Sequence, residues 1–156
     1  YLFLLLIVQE FTGSIAISLL FYIIFNVAYA VFLVPFGRLS DKIGSKKILF
    51  FGYLTFFFTM LGLFFFENIW HLGIIFVLYG LVSAMTYSTH RKIVSNLSDD
   101  MKGTAFGAFH TAIGIASIIG GIIAGALWNV GHDYMFGYLA ILGLISTALV
   151  MFVKER

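Results

Sequence analysis

The sequence predicts an all-α integral membrane domain, with five full transmembrane helices plus a partial one. Three observations predict it. Hydrophobic residues make up 62% of the chain and charged residues only 10%, at a mean hydropathy of +1.06, far from the roughly 25% charged residues of a soluble domain. Polar breaks cut the chain into apolar segments near the ~20 helical residues that a bilayer core requires. Lysine and arginine fall only in every second break.

Residues 1–156 read as a single membrane domain. No Met opens the chain and no basic region precedes Leu2–Val8, so residues 1–11 read as the truncated end of a helix, not a signal peptide. The full spans are residues 15–36, 48–66, 72–90, 104–128 and 135–153. Helices are the default because lipid offers backbone groups no partner, and the alternation of a membrane strand is absent.

Sidedness follows from the breaks. Threading five spans puts Arg38, Lys42, Lys46, Lys47, Arg91, Lys92, Lys102, Lys154 and Arg156 on one side. The opposite turns, 9–14, 67–71 and 129–134, hold no Lys or Arg. Short cytoplasmic loops collect such residues, so the 35–47 stretch, the 91–102 connection and the C-terminus are expected in the cytoplasm, in a multi-pass protein of the cell membrane.

The spans differ in character. The second carries Phe50, Phe51, Phe56, Phe57, Phe58, Phe64, Phe65 and Phe66 around its circumference, which suggests the lipid-facing periphery. The fourth is rich in small residues, including Ser117, Gly121 and Gly125 at four-residue spacing. Such spacing lets helix backbones approach closely, so this helix is expected to be buried against another. Polar residues share one face on three spans: Ser14, Ser18, Tyr22, Asn26 and Tyr29 on the first; Tyr79, Ser83, Thr86 and His90 on the third; His110, Gly114, Ser117 and Gly121 on the fourth. Polar groups at membrane depth are costly unless they meet one another or a wet cavity. Three stripes around a water-filled path satisfy that requirement.

Pro35–Lys47, reading PFGRLSDKIGSKK, is the dense polar run between the first two full spans. Its Gly37, Asp41, Lys42, Gly44, Lys46 and Lys47 fall in the pattern G-x-x-x-D-[RK]-x-G-x-[RK]-[RK], which resembles the loop signature of the major facilitator superfamily. Every fixed position matches; Ser45 departs, standing where many members place another base. The resemblance extends through the small-residue helix after Lys102-Gly103-Thr104 and covers nearly the whole chain.

The resemblance implies half of a twelve-helix fold built from inverted three-helix repeats, with the substrate site between halves near the midplane. The short Lys154-Glu155-Arg156 tail and the 83–107 region favour the C-terminal half, with the N-terminal half as the alternative. The partial helix then corresponds to the family's seventh span and the full spans to the eighth to twelfth. The missing other half, the lipid bilayer and a small-molecule substrate are the implied partners.

The implied function is alternating-access transport of a small solute, including proton-coupled efflux. A non-transporting membrane scaffold or sensor that keeps the fold is the competing class. Asp41 reads as a cytoplasmic latch, pairing with Arg38 or with the positive N-terminal end of a helix across the half interface; the bland reading is a solvated acid. Gly37 and Gly44 permit a tight turn or close approach, or terminate helices. Asn26, Tyr79, Ser83, Thr86 and His110 are the candidate substrate path, with His110 a site for a coupling proton or a helix-to-helix bond. His90, beside Arg91, reads as interfacial.

The chain lacks cysteine, which excludes disulfides and thiol chemistry. The histidines at 71, 90, 110 and 132 are dispersed, so no metal site is expected. No phosphate loop, nucleophile constellation or paired acids at membrane depth point to an enzyme, and no cofactor is implied. The bases form loop clusters, not a nucleic-acid stripe with interleaved aromatics.

Overall fold

In the computed structural model, which describes residues 2–65, 68–97 and 101–152, the chain folds as α1 (Leu2–Thr12), α2 (Ile15–Ile43), α3 (Ser45–Gly62), a 3-10 turn (Leu63–Phe65), α4 (Ile69–Leu97), α5 (Lys102–Val130) and α6 (His132–Phe152). The last five helices are long and apolar enough to cross a membrane, and α1 is a shorter apolar helix. The expected span ends Phe66 and Val153, and the bases Lys154 and Arg156, lie outside the described residues.

Each helix boundary has a local cause. Gly13 closes α1 with a positive φ of 66°, and its N–H donates to the Gln9 carbonyl at 2.8 Å. Ser14 caps α2, its side chain accepting from the Ile17 N–H; a side-chain oxygen there satisfies a donor that the first turn leaves orphaned. The Asn68 side chain accepts from the Trp70 and His71 N–H groups at the start of α4.

The polar run at 35–47 differs from the expected loop. Helix α2 continues through it to Ile43, with Pro35 inside, and α3 begins at Ser45. At ~1.5 Å per residue, the 29 residues of α2 reach well past a ~30 Å core, so the basic stretch is a helical extension rather than a loop. The whole break is Gly44, at φ 96° and ψ 147°, a conformation open essentially to glycine alone.

The main packing pairs are α2 with α4, α3 with α6 and α3 with α4. Three glycines set these crossings. A Cβ on Gly80 of α4 would stand 2.8 Å from both the Ala28 Cβ and the Phe25 carbonyl oxygen of α2. One on Gly143 of α6 would stand 2.8 Å from Phe56, and one on Gly52 of α3 would stand 3.1 Å from Thr86 of α4. The apolar core, including Val8, Phe21, Met60, Leu63, Leu72, Phe76, Met135 and Phe136, gathers toward the end opposite the signature.

The two helices singled out by composition pack differently. Helix α3 packs on α4 and α6 through buried Ile48, Leu49, Gly52, Thr59 and Met60, and leaves Phe51, Phe58, Phe64 and Phe65 exposed. Phenylalanines placed all round a helix serve a neighbour and lipid equally well, so their number selects no side. Helix α5 is the least covered of the long helices, with Ala124 its one buried described residue. A Cβ on Gly121 or Gly125 would meet nothing within 4 Å, and Ser117 is exposed. Instead of a close crossing, Ser117 and Gly121 border a recess of about 440 Å³ shared with Leu2, Phe3, Tyr79 and Phe136.

Candidate functional site

Helices α2 and α4 carry two of the three polar stripes, and their tight crossing at Gly80 brings those stripes together. Between them lies a groove of about 290 Å³ lined by Phe25, Asn26, Tyr29, Ser83, Thr86, Tyr87 and His90. Adjoining it, a crevice of about 250 Å³ shares Ser83, Thr86 and His90, and adds Tyr53, Tyr79 and residues of α3 and α6. Tyr79 also borders the α5 recess. The stripe from Tyr79 to His90 therefore lines three neighbouring spaces.

Of the expected path residues, Asn26, Ser83 and Thr86 meet in the groove and Tyr79 stands in the adjoining crevice. His110 does not join them. It is exposed on α5, with its ring against Phe109 at 5.5 Å. The groove itself is lined by two stripes, and the α5 stripe meets the α4 stripe at the recess, which Ser117 and Gly121 border together with Tyr79.

Residues that the sequence left outside the path include Phe25, Tyr29, Tyr87 and His90. The signal for Tyr29 and His90 was their register, since each shares a face with Asn26 or with Ser83 and Thr86. His90 is partly buried, with Nε2 3.0 Å from the Tyr53 hydroxyl of α3. Phe25 and Tyr29 stack nearly parallel at 6.4 Å, and Tyr29 meets Tyr87 edge-on at 6.1 Å. Asn26 donates through Nδ2 to the Tyr22 carbonyl at 2.8 Å, and Thr86 donates to Val82 at 2.8 Å. Both side chains are thus held against their own helices.

The signature residues form a second cluster, at the basic end. Asp41 pairs with Lys92 of α4, Nζ to Oδ1 2.8 Å, rather than with Arg38. The same ammonium donates to the Ser40 carbonyl at 3.0 Å, which also accepts from the Gly44 N–H at 3.2 Å as α2 ends. Lys46 at the start of α3 donates to the Met151 carbonyl near the end of α6 at 2.7 Å, a cation against the negative end of a helix. Arg38, Lys42 and Lys47 are exposed, and a Cβ on Gly37 would meet nothing within 4 Å. Ser45, where the signature usually carries a base, has its hydroxyl 3.3 Å from that of buried Ser40. It bridges the Gly44 break instead of offering a charge.

At the other end, Glu10 of α1 lies 3.1 Å from His132 at the α5–α6 turn. Among the described residues, no group of three or more His, Cys, Asp or Glu could hold a metal ion.

The chain is similar to an uncharacterised MFS-type transporter of Methanocaldococcus jannaschii, 38% identical over 160 residues that cover 98% of this chain and 40% of that protein. The chain thus spans well under half the length of that curated relative. No solved structure matches it with statistical significance. The family model of the Major Facilitator Superfamily matches residues 1–156. With its helices, its signature and this match in agreement, the chain belongs to the Major Facilitator Superfamily.

Proposed function

We propose that this chain is the C-terminal half of a secondary transporter that moves a small solute across the cell membrane by alternating access, driven by a proton or ion gradient. The observation that carries the reading is the groove between α2 and α4, where the polar stripes of two span-length helices meet. Its open side faces the other half, which completes the path. The uncovered small-residue face of α5 is the second surface on which that half packs.

The basic end is cytoplasmic and carries the gate. Lys92 orients the Asp41 carboxylate, which is 68% exposed and so remains available to the positive end of a helix in the other half. An exposed ion pair is worth at most ~1 kcal/mol. Contacts of that size suit a latch that must open in every cycle.

The test uses single cysteines in the full-length protein. Cysteine at Ser45 should be labelled from the cytoplasm and at Asn68 from outside; the reverse sinks the topology. Cysteine at Ser83 should react with an impermeant reagent from either side in turn, as the transporter cycles. A scaffold would leave it reactive from one side only.

A further inference from the structure

His90 stands at the junction of the groove and the crevice. Its Nε2 contacts the Tyr53 hydroxyl of α3 at 3.0 Å, and Phe109 of α5 packs edge-on against its ring at 5.8 Å. The titratable and charged groups around it are few. Helix α3 contributes Tyr53 and α2 contributes Tyr29; its own helix contributes Tyr79, Tyr87 and, beside the groove, Arg91, whose guanidinium lies over the Tyr87 ring at 5.7 Å. Helix α6 lines the crevice with the uncharged Leu142, Gly143 and Ser146. Among the described residues lining the two spaces, none is Asp or Glu.

That charge pattern selects a ligand. An imidazolium at this position has no carboxylate to pair with, and an unpaired charge taken out of water is costly. The Tyr53 oxygen and the neighbouring aromatic faces offset only part of that cost. An organic cation would fare no better on this side of the path, since the described walls hold no Asp or Glu and Arg91 repels it. A carboxylate arriving with a proton solves both problems: the imidazole takes the proton, Nε2–H donates to the Tyr53 oxygen, and Nδ1–H meets the carboxylate.

Resting on the transport reading above, we propose that the groove binds a small aromatic carboxylate together with one proton, and that His90 holds the proton. The Phe25, Tyr29 and Tyr87 rings supply the surfaces for a flat apolar body, and about 290 Å³ admits a single-ring acid. One anion and one proton make the loaded site neutral, so the loaded carrier crosses its midpoint without a net buried charge.

The test is calorimetric binding to the full-length protein in detergent, at about pH 6. The probes are benzoate, benzamide and benzylammonium, matched in ring and differing in charge. Two buffers of different ionisation enthalpy report proton uptake. Benzoate is expected to bind at least about tenfold tighter than either counterpart, taking up about one proton per molecule. His90→Gln should abolish the proton uptake and weaken benzoate about tenfold, while leaving benzamide unchanged. Should His90→Gln prove unstable, the proton count on the unsubstituted protein still decides.

Equal or tighter binding of benzylammonium or benzamide, benzoate binding without proton uptake, or no binding of any probe overturns the proposal. Proteoliposome flux separates the two readings. Benzoate that binds with a proton and never crosses would remove the transport reading and leave the site. Solute flux that ignores His90→Gln would do the opposite.

Discussion

Replacing Gly80 with alanine adds one methyl group at the closest helix crossing in the protein's described residues. The new Cβ would lie 2.8 Å from the Ala28 Cβ and the Phe25 carbonyl oxygen, and 3.1 Å from the Tyr29 N. Two of these three atoms are backbone, so no rotamer change relieves the overlap. Restoring ordinary contact at about 3.4 Å requires α2 and α4 to separate by about 0.6 Å along their shared face. Overpacking of that kind costs ~1–3 kcal/mol, set against the ~0.5–1 kcal/mol that alanine contributes over glycine within a helix. The net expectation is a loss of ~0–2.5 kcal/mol, centred on about 1 kcal/mol. Reversible SDS titration of the full-length protein in mixed micelles measures it. Gly73→Ala, on the same helix with nothing within 4 Å of its new Cβ, is the internal control and should be neutral or mildly stabilising. If Gly80→Ala is as stable as Gly73→Ala, the α2–α4 crossing is not as close as described, and the groove walls are misplaced with it.

Gly44→Ala should cost ~1–3 kcal/mol by forcing a side chain into a φ of 96°, read in the same titration; an unchanged midpoint would mean that the α2–α3 break is built otherwise. Asp41→Asn and Lys92→Met should each shift stability by no more than ~1 kcal/mol because the pair is exposed. A double-mutant cycle should show a coupling of similar size, and a coupling near zero would dissolve the pair. Gly121→Leu should leave the packing among α1 to α6 largely intact, since its Cβ would meet nothing within 4 Å and the position borders a recess of about 440 Å³, yet lower transport by the full-length protein severalfold; wild-type flux would show that α5 carries no contact between halves.

What the sequence made legible were properties of single segments. Apolar length marked the five long helices, and helical register gathered Asn26 on one face and Ser83 and Thr86 on another. Partnership between segments was not legible. Glycines in α5 and glycines at 52, 80 and 143 look alike in a sequence, and only the fold shows which ones meet a neighbour. Lys92 was equally hidden: it is remote from Asp41 in the chain, and their 2.8 Å contact arises because α2 and α4 end side by side. His90 was discounted for its neighbour Arg91, although its register pointed inward. Arg91 turns to the exposed Tyr87 ring while His90 bonds to Tyr53, because successive residues on a helix point about 100° apart.

The tight α2–α4 crossing also constrains what the Asp41–Lys92 pair can do. If α2 and α4, packed this closely at Gly80 and Ala28, move as one body in the proposed transporter, an ion pair joining their ends is not the contact that breaks when it changes state. Lys92 is better understood as a positioning residue, which presents Asp41 and ties the end of α2 to α4 through the Ser40 carbonyl. The contact that breaks must involve a surface outside this bundle, which the exposed carboxylate can reach. In the proposed transporter, Asp41→Asn should therefore move the balance of inward- and outward-facing states, read by reagent access to a cysteine at Ser83, more than Lys92→Met does. Equal shifts from the two variants would place the gate within the pair itself, and would require α2 and α4 to slide past each other at a crossing with no room for a methyl group.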